Sequence, residues 1–464
     1  SDHCLLKLNL KKAKVTAKTK RFPDEVLEYR GGRDRIDKHI KTVSSRLTKQ
    51  DCKSLSFDEI QTKLLETEFS AEKILFNIAD DIVRLEQKRQ AKLARKKNEY
   101  IIKIEDEIQQ LRQQQEKIGL TDKEKLIEII DRREFLQTQR NVITETMEQK
   151  HQEKIIQRYL TQADKSTPYH FQRNVQRKMD SKITMLKDFN GKLIIDRKEI
   201  DNEVHRHFKE KFQSKQKELD QMDFVAPEEQ TPKISERCKN IINKLPTTTE
   251  TKIAVEKLKD TSSPGPDGIT GKFAKYLYTR IPRIFNKTHC EFYNSKMKYL
   301  NQRDLKIIEK PGKSSYLHIN SFRPISLISV IIKTYENVIY NRLQYALSND
   351  DNHSFDEYTG NNYAYRKDNG VQDAYREFND VLEQYRKLEP NKADEELAVV
   401  SIDLASAFDT VEWKYIFDTL EKMNIPEQII KSIKLLYSSI KMRIKGSDTP
   451  WFKIGRGVPQ GSAL

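Results

Sequence analysis

The residues best placed to do chemistry lie in AVVSIDLASAFDTVEW, positions 398 to 413, where Asp403 directly follows the apolar run Ala398 to Ile402. Such a run reads as a buried central strand, so the Asp403 carboxylate is expected to emerge at the strand's end. A carboxylate buried alone is costly, and it therefore wants a cation. Mg²⁺ suits it, because that ion takes one or two carboxylates together with substrate phosphates. The same Asp403 could instead cap a helix starting near Ala405. Asp409 reads as a cap of that kind or as a pin for the local turn. A second stretch, RGVPQGSAL at 456 to 464, carries a Gly-Val-Pro-Gln-Gly turn suited to bringing backbone close to another group.

The elements that must position these residues follow from pattern. Residues 4 to 10, CLLKLNL, alternate loosely as a strand end, and KKAKVTAKTKRF is a basic linker. From about 35 to 160 the chain is charged, nearly free of Pro and Gly, and expected to be mostly helix. Leu75, Ile78, Ile82 and Leu85 form one apolar stripe; Ile101, Ile104, Ile108 and Leu111 form another, with coiled-coil a/d rhythm. Either two helical cores are joined by the basic KRQAKLARKK, or one antiparallel hairpin breaks near Gly119. Asn190-Gly191 within SKITMLKDFNGKLII predicts a β-hairpin. A helix over about 197 to 217 follows, with Ile200, Val204, Phe208 and Phe212 on one face, and DQMDFVAPEEQTPKIS is a linker. Beyond about 245, TTTETKIAVEKLKDTSSPGPDGIT is a capped helix entering a Pro/Gly loop. Strands and helices alternate thereafter, with helix from about 411 and KMRIKGSDTPWFKI as a hairpin, in the manner of an α/β or α+β domain.

Composition narrows the partners. Of a net charge of +15, +8 sits in residues 1 to 50, which hold 14 Lys/Arg against 6 Asp/Glu. A basic arm and a pI near 9.2 make nucleic acid the leading partner class. Cys4, Cys52, Cys238 and Cys290 are too scattered for a zinc module or a disulfide framework, which fits a reducing, intracellular setting. No apolar run approaches a membrane span, and residues 1 to 20 lack a signal-peptide core.

Four ordered blocks carry a family resemblance. SIDLASAFD resembles motif A of reverse transcriptases, and RGVPQGSAL resembles motif B of those encoded by non-LTR, LINE-type retrotransposons. SSPGPDGITGKFAKYL (262 to 277) resembles the Pro-Gly-x-Asp-Gly block ahead of their fingers, and IIEKPGKSSYLHINSFRPISLISVIIKTYENVIYNRL (307 to 343) resembles the fingers segment. The resemblance implies that Asp403, with the Leu404 carbonyl, holds Mg²⁺ for a two-metal phosphoryl transfer. It implies that Arg323 grips a deoxynucleoside triphosphate, aided by Lys310 or Lys313. Phe408 would gate the sugar, Gln460 and Gly461 would line the nascent base pair, and Gly265 and Asp267 would serve the template. In YTGNNYAYRKDNGVQDA (358 to 374) the family's Gly-Phe-Arg is reduced to Arg366, with Ala364-Tyr365 in place of Gly-Phe, leaving a template contact at Arg366.

At the other end, SDHCLLKLNL resembles the last motif of apurinic-endonuclease-like nucleases, which gives His3 a role in attack on phosphate and Asp2 one at a metal. YLTQADKSTPYHFQRNVQRKMDSKITMLKDFNGKLIIDRKEIDNEVHRHFKEKF resembles the N-terminal extension of these polymerases, with an expected role in template RNA binding.

The implied fold is α+β: right-hand polymerase fingers and an incomplete palm, preceded by a long helical, partly coiled-coil region and the last strand of an endonuclease sandwich. The implied domains are 1–12 (nuclease end), 13–160 (basic linker and helical region), 161–244 (polymerase extension) and 245–464 (fingers and partial palm). The implied activity is RNA-directed DNA synthesis primed by target DNA, in nucleus and cytoplasm. Because the family's x-Asp-Asp strand would lie beyond Leu464, residues 1 to 464 are expected to bind nucleic acid without polymerising. The alternatives are a nucleic-acid-binding remnant without chemistry and a group II intron maturase-like enzyme. The sequence leaves the oligomeric state open.

Overall fold

The computed structural model describes residues 20–118, 125, 127–142, 183–215, 231–297, 301–310, 312, 315–348, 363–364, 370–388 and 398–464. Two units are each compact: Ser1–Val83 with Ile183–Leu464, and Arg84–Lys182. The strand end at 4 to 10, Asp2, His3, Lys313, Arg366, the break near Gly119 and most of the linker at 220 to 235 lie outside the described residues.

In the larger unit, α1 (Arg30–Thr48) buries Ile36, Ile40 and Val43 at helical spacing. α2 (Phe57–Leu65) starts at a capping box in which Ser56 and Glu59 satisfy each other's free N–H groups. α3 (Ala71–Ile118) begins in the same core, with Leu75, Ile78 and Ile82 buried. The Asn190-Gly191 hairpin forms as expected: β1 (Leu186–Lys187) pairs antiparallel with β2 (Leu193–Ile194), and Gly191 takes the left-handed φ of 81° that the turn demands. α4 (Arg197–Lys211) is capped by Asp196 and buries Ile200, Val204 and Phe208, followed by Phe212. It stops six residues earlier than the 217 expected, because the chain turns at Phe212 to meet another segment.

α5 (Glu236–Ile242) precedes α6 (Thr248–Glu256), which opens on a second capping box, Thr247 with Glu250. α7 (Gly271–Arg280) and α8 (Pro282–Tyr293) follow. The sheet comprises β3 (Gln302–Glu309), β4 (Phe322–Leu327), β5 (Lys441–Ile444) and β6 (Phe452–Lys453), and α9 (Val330–Ser348) follows β4 in the chain. Its order is β4-β3-β5-β6, parallel only between β3 and β5. β5 and β6 are the hairpin read from KMRIKGSDTPWFKI. Between β4 and β5 lie α9, α10 (Val371–Leu388), α11 (Ala407–Thr410), α12 (Trp413–Lys422) and α13 (Glu427–Ser438). The α+β expectation thus holds. No helix among the described residues is long and apolar enough to cross a membrane.

One expected element is absent. Residues 398 to 404 form no strand, and Val399, Val400, Ile402 and Leu404 are all exposed. A continuous apolar run suits a strand covered on both faces. Here no ladder partner flanks it among the described residues, so neither its backbone groups nor its side chains gain what a central strand would give them.

In the smaller unit, the second apolar stripe packs within the chain. Ile104 and Ile108 bury against Leu136, with Leu111 beside them. Tyr100 donates to Gln139 at 3.5 Å, Arg132 pairs with Glu107 at 2.9 Å, and Arg133 donates to Gln115. From Tyr100–Gln139 to Glu107–Arg132 one side's numbers rise as the other's fall, so helical residues 127 to 142 return antiparallel along α3. Both features read from sequence are present among the described residues: α3 carries two buried stretches joined by an exposed basic helical one, and 127–142 return along it, although the last residue of the first stripe, Leu85, is left exposed.

Candidate active site

The turn at 456 to 461 is the joint of the site. Val458 N–H donates to the Phe408 carbonyl at 2.7 Å, and Gly457 N–H donates to the Val411 carbonyl at 2.8 Å. The Trp413 indole N–H donates to the Gly457 carbonyl at 3.0 Å. Gly457 sits at φ 85°, and a Cβ there would lie 2.5 Å from the Asp409 carbonyl oxygen. Glycine is therefore required for the turn to seat on α11.

The same turn also closes on β4 and α9. Ser326 N–H donates to the Gln460 carbonyl at 2.8 Å, and Lys333 Nζ reaches the Gly461 carbonyl at 3.3 Å. β4 is an edge strand, and the free edge that takes Gln460 is also the one on which Pro324, two residues earlier, lacks an N–H. Gly461 has φ 111°, and a Cβ on it would stand 2.5 Å from the Ser326 carbonyl oxygen. The close approach expected of Gly461 toward a base is thus, in the protein, an approach to Ser326. Ala463 N–H donates to Glu336 at 2.9 Å. Glu336 also holds Arg303 at 3.0 Å in a pair with essentially no solvent contact, and burial pulls the Arg303 guanidinium below its ordinary range.

A second layer of ionic contacts comes from the end of α4. Lys211 Nζ meets buried Asp409 at 2.7 Å, and Glu412 meets Arg456 at 3.6 Å. Ser214 Oγ donates to Glu412 at 2.7 Å and Lys215 N–H at 2.8 Å, while Arg456 Nε donates to the Lys211 carbonyl at 2.9 Å. Asp409 is therefore neither a helix cap nor a local pin: Ser406 holds the cap position, and the partner of Asp409 lies 198 residues away.

The expected chemical residues stand apart from this framework. Asp403 is exposed and makes no hydrogen bond or ion pair with the described residues. Leu404 is exposed, and so is Phe408, whose carbonyl is fixed by Val458. Arg323 points outward from β4 with no polar partner among the described residues, opposite exposed Ile308. The Gln460 side chain is half-buried, and its amide makes no hydrogen bond to the described residues. Lys310 is half-buried, its N–H on the Ser321 carbonyl and its own carbonyl on the Tyr316 hydroxyl.

Gly265 and Asp267, expected at the template, sit in close contact with the protein's own backbone. A Cβ on Gly265 would lie 2.5 Å from Ser329 N. Asp267 is buried, accepts from Ile269 N–H at 3.1 Å, and is held above the usual carboxylate range chiefly by that burial.

Sequence reasoning missed Lys211, Glu412, Arg456, Lys333, Arg303 and Glu336. The one local signal was the Asp409/Glu412 spacing, which places two acids about a turn apart beside the expected site.

Among the described residues no group of three or more His, Cys, Asp and Glu side chains is arranged around an ion. Asp403 fits as one ligand to Mg²⁺, since the ion needs only one or two carboxylates when phosphates and water complete its shell, and among the described residues no cation pairs with Asp403.

Comparison with known proteins agrees with the motifs. Residues 308–464 match the reverse transcriptase (RNA-dependent DNA polymerase) family. Over 235 residues, 50% of this chain and 17% of the other protein, the sequence is 25% identical to the transposon TX1 uncharacterized 149 kDa protein of Xenopus laevis. Over 215 residues it is 26% identical to the retrovirus-related Pol polyprotein from type-1 retrotransposable element R2 of Nasonia vitripennis, covering 45% of this chain and 19% of that protein. The matched stretch thus spans less than a fifth of either relative.

Proposed function

Since the chain belongs, through residues 308–464, to the reverse transcriptases of non-LTR retrotransposons, we propose that it serves RNA-directed DNA synthesis, with template RNA, deoxynucleoside triphosphates and a target-DNA primer as substrates. The observation that carries this reading is the seating of the 456–461 turn on both Phe408 and Ser326. It ties the segment bearing Asp403 and Phe408 to the strand bearing Arg323, and it supports the reading that the Asp403 carboxylate and the Arg323 guanidinium, which have no polar partner among the described residues, serve a nucleotide.

In this reading Asp403 and the Leu404 carbonyl hold Mg²⁺. When bound, the ion supplies charge neutralisation on the triphosphate and a more acidic attacking hydroxyl. Arg323 binds the phosphates with a planar fork, and Lys310 and Lys313 add positive charge. Phe408 crowds the 2′ position of the sugar. Gln460 lies beside the nascent pair, while Gly461, Gly265 and Asp267 shape the loops behind it. Arg366 contacts template. Asp2 and His3 belong to a nuclease active site.

Primer extension on an RNA template with Mg²⁺, by a protein that joins these residues to an x-Asp-Asp strand, tests this. Asp403→Ala is expected to abolish synthesis while leaving RNA binding within about twofold, and Phe408→Ala to admit ribonucleotides. Substantial synthesis by Asp403→Ala would sink the metal assignment. The second reading, nucleic-acid binding without chemistry, is favoured by Asp403 having no cluster of metal-binding side chains around it among the described residues. RNA binding without extension by a protein that joins these residues to an x-Asp-Asp strand would select it.

A further inference from the structure

α3 changes character along its length. Ile74, Leu75, Ile78, Ile82 and Val83 are fully buried, and Ile104 and Ile108 are buried again. Between them, every described side chain from Lys88 to Lys96 is exposed, so no face of the helix is covered there. A helix that is polar all round has no packing to hold it, and must be stabilised by side-chain pairs or serve something else.

Pairs do not account for it. Residues 87 to 98 contain six Lys/Arg and no Asp/Glu, whereas the helix on either side mixes both signs. Arg89 reaches back to Glu86 at 3.7 Å. Lys88, Lys92, Arg95 and Lys96 make no ion pair with the described residues. At about 100° per residue these four fall within about 100° of one another, and Lys88, Lys92 and Lys96 follow at about 6 Å intervals along the axis. Like charges four residues apart repel by about 0.2–0.5 kcal/mol per pair. The bare stretch is therefore also the stretch whose charge is uncompensated, and a polyanion would relieve it.

The chemistry selects among polyanions. No aromatic residue lies between 87 and 99, so the stacking platforms that hold single strands are missing. Ala91, Leu93 and Ala94 do not make the wide apolar face that an anionic membrane surface requires. A bare helix is about 10–12 Å across, which matches the roughly 12 Å major groove of B-form DNA. The corresponding groove of duplex RNA is too deep and narrow for protein side chains to read. We propose that the basic stripe Lys88, Lys92, Arg95 and Lys96 is a sequence-independent docking site for the phosphates bordering the major groove of duplex DNA. The proposal stands on the helix itself and not on the polymerase reading.

The test is binding of the full chain to a mixed-sequence DNA duplex, followed by fluorescence anisotropy across a salt series, beside duplex RNA, single-stranded DNA and anionic vesicles. Changing Lys88, Lys92, Arg95 and Lys96 together to Gln, which preserves helix propensity, is expected to weaken duplex DNA binding by on the order of tenfold or more. It should also reduce the salt slope by about 3–4, at about 0.9 per phosphate contact. Control changes of exposed Lys38, Lys53, Lys244 and Lys259 to Gln should do neither, and replacing Lys88, Lys92 and Lys96 by Arg should keep binding, with helicity checked by circular dichroism for each. Equal losses in the stripe and control variants, an unchanged salt slope, or a loss confined to RNA, single strands or vesicles would overturn the proposal.

Discussion

The two halves of the stretch 398 to 412 are built in opposite ways. From Ala407 to Glu412 the backbone is hydrogen-bonded to the 456–461 turn, and both acids are buried against Lys211 and Arg456. From Ala398 to Leu404 the chain is exposed and Asp403 touches no charged partner among the described residues. The contrast teaches that framework charges are told apart by their contacts: they are neutralised inside the protein, whereas the Asp403 carboxylate is left open to a ligand, as its proposed role requires.

The contrast breaks most severely if a framework pair proves dispensable. Arg303 and Glu336 are both buried, and Glu336 also holds Ala463. Glu336→Ala leaves the guanidinium uncompensated and is expected to cost about 3–5 kcal/mol in urea denaturation. A loss below 1 kcal/mol would mean that water or a rearranged side chain takes over the charge.

Next comes the pair that anchors α11. Lys211→Met strands the Asp409 carboxylate, and because Lys211 keeps some solvent contact the expected loss is smaller, about 2–4 kcal/mol. Combining it with Asp409→Leu should recover most of that loss, since removing both partners is far less costly than removing one. A double variant no better than the single would place the cost in the geometry of Phe212 and Arg456 instead.

Acid should attack the packed region first. His289 lies between the Thr251 hydroxyl at 3.1 Å and the Thr334 hydroxyl at 3.0 Å. Burial pushes its pKa down to about 3, against a weaker opposing pull from Glu250. A depressed pKa means the neutral ring is the folded form, so its contribution is complete above the unfolded value of about 6.5 and is lost as pH falls toward 3. At pH 5 the loss should be about 2 kcal/mol. His289→Gln should flatten the stability profile between pH 6.5 and 5, and an unchanged profile would assign the acid lability to another group.

What could be read beforehand follows the same division. Asn190-Gly191, the cap at Thr247 and the Phe208/Phe212 face were legible because each depends on neighbours within a few residues. The motif residues were legible from resemblance. The links Lys211 to Asp409, Glu412 to Arg456 and Arg303 to Glu336 were not, since one sequence gives no sign of which distant opposite charges meet. The run 398 to 402 misled for the converse reason: apolar composition shows that a strand is suited to burial, and only a flanking strand can bury it. Gly461 was read as sparing room for a base, when the Ser326 carbonyl already demands that room.

The smallest expected effect on stability is the most informative. Asp403 is exposed, with no polar partner among the described residues, so Asp403→Ala removes no framework contact and should leave the denaturation midpoint unchanged, within about 0.5 kcal/mol. The same substitution should abolish RNA-templated primer extension in any protein that contains these residues and polymerises. Lys211→Met should show the reverse balance, a clear loss of stability with synthesis reduced in proportion to the folded fraction. If Asp403→Ala instead destabilises the protein by 2 kcal/mol or more, its carboxylate belongs to the framework, and the division between the two halves of 398 to 412 fails at its central residue.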